Sequence, residues 1–479
     1  MSIEELKKYK DFDIIPVMDL IYSDFTTPLN VLRNIMKKSN KFYLLESVIQ
    51  GRSGRYSYLG FDPIHSISCK DYLVNLDGNI YKSLKPFDEI KKLLEKYRAP
   101  KIEGFPPFCG GIVGYASYDS YQYFEPKMKF NSKDIAKFND YEFLMFDKVI
   151  CFDSVTQKIY IIVNIKTDDL ENNYKNGLKD IEKIKNLINE NVDLKVLKNE
   201  IIKKPESIDS IEEYSKKIDI IKKHIYDGDI FQCVFSRRFE GKMKGSLFNA
   251  YRALRTINPS PYMYYLKNEE IEIAGCSPET LVSKENDTIT TFPIAGTRPR
   301  GKTLVLDNEL ERDLLNDEKE LAEHNMLVDL GRNDIGRVAK FNTVNVVEYK
   351  KVLRFSHVMH LASTVVGKIN DNYTSLDVLN SILPAGTLSG APKKRAMEII
   401  DSLEKTRRGI YGGGLGYIDF RDNMNMCIVI RTIIKKNDDI YLQDGGGIVM
   451  DSNTENEFME TENKAMATFK AIEEIIWFY

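Results

Sequence analysis

Residues 317–334 read DEKELAEHNMLVDLGRND, and they predict a helix. Asp317 suits the N-cap, Glu320 follows at the spacing of a capping box, and Gly331 suits the stop. At about 100° per residue, Glu320, Glu323, Leu327 and Leu330 share one stripe. Two carboxylates in line with leucines do not make a solvated face. Like charges three residues apart repel by roughly a few tenths of a kcal/mol. A carboxylate pair drawn inward needs a cation, a proton or a hydrogen-bond donor. Oxygen-only ligands suit Mg²⁺, which keeps waters and takes one or two carboxylates plus an anionic substrate. A single ExxE on a helix more often reads as a cap with a surface neighbour, because charged residues are seldom buried unpaired.

A second stretch changes that balance. Residues 451–475 read DSNTENEFMETENKAMATFKAIEEI. Thr454 and Glu457 have capping-box spacing, and Glu457, Glu460, Lys464, Ala467, Ala471 and Ile475 fall on one stripe. Two helices that each turn an ExxE inward are able to hold a hard cation between them.

The rest of the chain sets the bounds. Its 479 residues suffice for two or three domain-sized units, or one large elaborated domain. Hydrophobic residues make up 43% and charged residues 29%, as in soluble globular proteins. A net charge of −3 gives no bulk electrostatic case for nucleic acid. The opening MSIEELKKYKDFDIIP carries acids and no long apolar core, so it does not read as a signal peptide. No run approaches the roughly 18 apolar residues of a membrane span. The cysteines (69, 109, 151, 233, 276 and 427) are scattered, without CxxC, which fits a reduced, cytoplasmic chain with no zinc site.

Taken in order, residues 27–38 predict an amphipathic helix, and residues 42–48 (FYLLESV) a buried strand with Glu46 and Ser47 near its end. Residues 55–60, 141–146 and 158–163 also predict strands. FCGGIVGYASYD (108–119) predicts tightly packed strands, since it lacks a dinucleotide fingerprint. Residues 168–204 read as a charged helical connector, with a soft boundary near 205. Beyond it come a helix over 211–226, the turn and strand GDIFQCVFSRR with the neutral amide of Gln232, and the extended NPSPYMYYL (258–266). GCSPETL places Glu279 after a Ser-Pro turn. PIAGTRPRG (293–301) predicts an anion-gripping loop using Arg298 and Arg300. FSHVMHLASTVVG holds His357 and His360, on opposite faces if it is a strand. GTLSGAPK opens a helix, and RRGIYGGGLGYI brings Tyr411 and Tyr417. NMCIVIRTI predicts a buried strand whose Arg431 needs an anionic partner. QDGGGIV (443–449) predicts an anion nest of bare backbone N–H groups. No serine or cysteine elbow appears. The residues by themselves point to a Mg²⁺-assisted reaction on a small carboxylate-bearing molecule.

These motifs resemble a known family over essentially the whole chain, component I of anthranilate synthase, within the chorismate-utilising enzymes. The resemblance rests on LLES (44–47), GDIFQ (228–232), NPSPYMYY (258–265), SPE (277–279), PIAGTRPRG, KELAEHNMLVDLGRND, GTLSGAPK, YGGGLGY, CIVIR and the closing ExxETxNKA. It implies an α/β (α+β) fold of two stacked antiparallel sheets flanked by helices. An N-terminal region, 1–205, would contribute a tryptophan site, and 206–479 would form the chorismate-binding catalytic domain. Glu323 and Glu460 would bind Mg²⁺, with Glu320 and Glu457 acting through water. Arg431, Tyr411 and Gly445, Gly446 and Gly447 would hold the enolpyruvyl carboxylate, with Lys464 nearby, and Gly296 and Thr297 would line the ring. Glu279 would be the general acid and His360 would assist pyruvate elimination.

The resemblance also separates siblings. Water-adding relatives carry a lysine where this chain has Gln232, and ammonia needs no such base. Aminodeoxychorismate synthases typically read PIKGT, where this chain has Ala295. Glu46, Ser47, Pro261, Tyr262 and Met263 resemble the family's feedback site for L-tryptophan. No glutaminase motif occurs, so glutamine use implies a separate amidotransferase subunit, component II, and the chain by itself would use ammonia. The competing readings are an aminodeoxychorismate synthase component I and a non-catalytic chorismate- or tryptophan-sensing protein.

Overall fold

A computed structural model describes residues 3–47, 54–191, 199–354 and 358–474. Val48, His357 and Ile475, named above, lie outside the described residues.

FYLL is apolar at every position because both faces of its strand are covered. In the Lys41–Glu46 strand, Phe42 and Leu44 face one core while Tyr43 faces another. The strands Gly111–Ala116, Tyr141–Phe146 and Ile271–Ser277 are likewise buried at every residue. Such runs mark strands inside a layered fold. Two antiparallel sheets, each of twelve strands among the described residues, stack with a shared aromatic layer between them. Tyr43, Tyr58 and Tyr264 enter that layer from the first sheet, and Val113, Tyr115, Phe146 and Leu415 from the second. Helices Pro28–Met36, Leu170–Asn189, Phe248–Ile257 and Thr454–Glu474 cover the outer face of the first sheet. Helices Glu318–Gly336 and Ser375–Ile382 pack on the second.

The chain changes sheets repeatedly. Ile271–Ser277 lies in the first sheet and Thr280–Glu285 in the second, so Pro278 and Glu279 form the crossing. NMCIVIRTI is not one strand, as the sequence had suggested. Met424–Ile428 pairs in the second sheet and Thr432–Lys436 in the first. Arg431 sits at that crossing with φ +52°, which splays the two halves apart. The two crossings are tied side by side, since the Ile428 N–H donates to Glu279 O at 3.0 Å and the Cys276 N–H to Arg431 O at 3.2 Å.

Other expectations need correction. The helical connector ends at Asn189, and Glu200–Ser207 is a strand paired with Gln232–Lys244. The boundary expected near 205 falls inside that strand. Both sheets hold strands from each side of it, each side forming one continuous block within each sheet. Gly331 does not stop its helix, which runs on to Gly336. A Cβ there would meet Thr291 Cγ2 at 3.1 Å, so this glycine serves close approach of helix to sheet. At the last helix Asn453, not Thr454, caps, accepting the Asn456 N–H at 3.1 Å.

Candidate active site

Asp317 caps its helix as expected, accepting from the Lys319 and Glu320 N–H groups. Glu320 does not return the bond. Its carboxylate lies 3.5 Å from Arg298 Nη1, beside Gly296, where a Cβ would stand 3.1 Å from Glu320 Oε2. Burial raises the Glu320 carboxyl above its ordinary value, and the neighbouring charge of Glu323 raises it further. Glu323 Oε1 accepts from Gln232 Nε2 at 3.3 Å. Gln232 in turn lies across Gly447, whose Cβ would sit 2.3 Å from that same Nε2. One residue earlier, a Cβ on Gly446 would sit 2.9 Å from Glu457 Oε2 and 3.9 Å from Glu460 Oε1. The glycines thus give the two acidic pairs room to lie on backbone from opposite helices, with Gln232 between them.

Burial also raises Glu457, opposed by a hydrogen bond from Ser452 and reinforced by Glu460. Glu460 pairs with Lys464 Nζ at 2.6 Å. Among the described residues no three histidine, cysteine or carboxylate groups converge on one point. The donor set still fits a hard cation. It is all oxygen and mutually repelling in both pairs, with Glu320, Glu323 and Glu457 half-buried and Glu460 exposed at the rim.

Across the site, Glu279 is half-buried at the first crossing and accepts from Thr387 Oγ1 at 3.0 Å. Burial pushes its carboxyl up to about 7, against that hydrogen bond and the charges of Lys464 and Arg431. A carboxyl so placed keeps a substantial share of its acid form near neutral pH and is able to donate. His360 lies in the strand Val358–Lys368, opposite Thr297. Its Nδ1 is 3.0 Å from both Gly296 O and Thr297 Oγ1. A carbonyl only accepts, so Nδ1 carries the proton. Burial lowers the imidazole below its usual value, and the charge of Arg431 adds to that. Tyr411 is buried, with its phenol raised by burial and then by Asp444.

QDGGGI is not a nest. Gly445, Gly446 and Gly447 belong to the regular strand Asp439–Ile448, opposite Ser236, Phe235 and Val234. On its other side that strand is paired, among the described residues, only over Asp439 to Tyr441, because the partner strand begins at Thr432, just after the crossing at Arg431. The glycine backbone is therefore open toward the site, and Lys464 Nζ donates to Gly445 O at 2.9 Å. PIAGTRP is likewise a strand, Ile294–Pro299. Its arginines are committed elsewhere, Arg298 to Asp313 and Asp317 at 2.6 Å each and Arg300 to Asp307 at 2.8 Å. They brace the neighbouring helices instead of gripping an anion.

Two contributors were missed in the sequence. Thr387 lay unmarked in GTLSGAPK. Asp444, inside QDGGG, is the anionic partner that Arg431 required, with Oδ1 3.4 Å from Arg431 Nε.

The five residues expected for tryptophan lie at the start of Tyr262–Asn268 and the end of the strand paired with it, Lys41–Glu46. Glu46 is buried, taking Tyr251 Oη at 2.6 Å and Arg255 Nε at 2.9 Å. It is directly opposite Met263, on the same face of the sheet. Ser47 Oγ is buried without a hydrogen-bond partner among the described residues. Tyr262 points to the other face, its hydroxyl between Thr280 Oγ1 at 2.8 Å and Asn425 Oδ1 at 2.9 Å, and Pro261 precedes it at the strand's start.

Residues 40–470 match the family model described as chorismate binding enzyme. The anthranilate synthase component 1 of Acetivibrio thermocellus is 44% identical, over 99% of this chain and 98% of that protein. That of Aquifex aeolicus is 42% identical, with the same coverage. The crystal structure of anthranilate synthase component I from Streptococcus pneumoniae superposes with TM-score 0.76 and 34% identity, over 94% of this chain and 99% of that one. A menaquinone-specific isochorismate synthase from Escherichia coli, 17% identical with TM-score 0.71, shares the fold. The chain belongs to the family of chorismate binding enzymes, in the branch of anthranilate synthase component 1.

Proposed function

We propose that this chain aminates chorismate with ammonia, with Mg²⁺ bound, and then eliminates pyruvate to give anthranilate, the first committed product toward tryptophan. The observation that carries the reading is Glu279, a carboxyl held up to about 7 by burial and facing the cations Arg431 and Lys464. Hydroxide is a poor leaving group, and a neutral acid at the departing 4-hydroxyl supplies its proton. Arg431, Tyr411 and the open glycine strand take the enolpyruvyl carboxylate, and Gly296 and Thr297 line the ring. His360, proton on Nδ1, serves the elimination that aromatises the ring. Gln232 presents a neutral amide where a water-activating base would otherwise stand, which favours ammonia. Glu323 and Glu460 would hold Mg²⁺, with Glu320 and Glu457 through water. Bound there, the ion would withdraw charge through the ring carboxylate. Replacing Glu323 with Gln is expected to abolish ammonia-dependent turnover with an unchanged circular dichroism spectrum. Wild-type activity in that variant contradicts the metal assignment.

Component II, a glutamine amidotransferase, would supply ammonia from glutamine. L-Tryptophan would bind at Glu46, Ser47, Pro261, Tyr262 and Met263, where the orphaned Ser47 hydroxyl and the buried Glu46 carboxylate offer polar partners. Ser47→Phe is expected to blunt tryptophan inhibition, and an unchanged inhibition curve refutes that placement.

A further inference from the structure

Asp444 has no part in the scheme above, yet it lies inside it. Its side chain is 5% exposed and Oδ1 is 3.4 Å from Arg431 Nε. Lys464, anchored on the next residue's carbonyl, brings a second positive charge to it. The C-terminal helix also brings Glu460, paired with Lys464, and Glu457, over Gly446. On the neighbouring strand Arg237 is directly opposite, its guanidinium given to Phe458 O, Thr461 Oγ1, the Phe458 ring and the Glu462 carboxylate at 3.5 Å. Tyr411 is near enough for the charge of Asp444 to raise its phenol. A carboxylate is thus set beside the two cations that the proposed function assigns to the substrate end.

In the free site this carboxylate gives the Arg431 guanidinium a fixed partner, which a half-buried arginine at a left-handed backbone position otherwise lacks. A substrate carboxylate arriving at the same guanidinium changes the balance. Two anions then share one cation in a poorly solvated place, and such a pair favours the neutral form of one member. Burial already pushes Asp444 up to about 6, against the pull of Arg431 and Lys464. We propose, on the reading that Arg431 takes the substrate carboxylate, that Asp444 positions Arg431 in the free site and takes up one proton from solvent when that carboxylate binds.

The test is calorimetric titration of the full chain with chorismate, Mg²⁺ present and ammonium absent, near neutral pH in two buffers of different ionisation enthalpy. Wild type is expected to take up about one more proton per chorismate than Asp444→Asn, and its affinity is expected to fall by up to about tenfold per pH unit above the free-site value. The Asn variant keeps only whatever slope Glu279 contributes. Equal proton uptake in the two proteins overturns the proposal. A second measurement on Glu279→Gln removes the other near-neutral carboxyl. Continued uptake of a proton there supports the proposal, and its loss overturns it. Absence of any chorismate binding by wild type overturns the underlying substrate reading, and the proposal with it.

Discussion

Glu279 owes its chemistry to where the chain changes sheets. The crossing takes it out of strand pairing, and Thr387 and the surrounding protein remove its water. Because its carboxyl is raised to about 7, the acid form is present below that pH and is lost as pH rises through it. At a constant concentration of free ammonia, turnover is therefore expected to fall above about pH 7, close to tenfold per unit, and Glu279→Gln to lose about a hundredfold or more in kcat with an unchanged melting temperature. A profile flat to about pH 9, or a fully active Gln variant, contradicts the role. At this scale the sequence showed residue types and their order but not partners. Arg298 and Arg300 read as anion grips, yet each is held by aspartates close by in the sequence. Asp444 was passed over because its role depends on Arg431, which reaches it only through the sheet crossing.

The helix Glu318–Gly336 must hold two carboxylates in place, and buried contacts fix it along its length. Near its start Arg298 ties down Asp317 and Glu320. In the middle, His324 Nε2 meets Ser363 Oγ at 2.6 Å, and burial pushes the imidazole down to about 4, so it stays neutral. Near the end Asp334 Oδ2 is 2.9 Å from Lys393 Nζ, both side chains nearly fully buried. Removing one partner of such a pair leaves an uncompensated charge. Lys393→Ala is expected to destabilise the fold by about 3–5 kcal/mol, read as a lower urea midpoint. A shift under about 1 kcal/mol would mean that water reaches Asp334. The inward stripe of Glu320, Glu323 and Leu327 was legible, because helical period alone sets it. The length was not, since Gly331 looks like a stop until Thr291 and Pro293 are seen against it.

At the scale of the whole molecule each sheet is built from two blocks of strands, one from the first part of the chain and one from the last. They join where Lys41–Glu46 pairs with Tyr262–Asn268 in the first sheet and where Gly111–Ala116 pairs with Gly414–Asp419 in the second. A chain cut to 206–479 is expected to expose unpaired strand edges and to aggregate, while a soluble fragment with native near-ultraviolet circular dichroism would show that it folds alone. The layered architecture was readable from continuous apolar runs such as FYLL and YEFLMF, which only strands covered on both faces tolerate. The crossings were not, because an apolar run such as NMCIVIRTI gives no sign that Arg431 leaves one sheet for the other.

The central claim is that these crossings and the two acidic helices assemble one site that makes anthranilate. It is tested most directly by the fluorescence of the purified chain with chorismate, Mg²⁺ and an ammonium salt at mildly alkaline pH, with and without EDTA. Blue anthranilate emission that EDTA abolishes is the predicted result. Emission that survives EDTA, 4-amino-4-deoxychorismate in place of anthranilate, or chorismate left unchanged would contradict it.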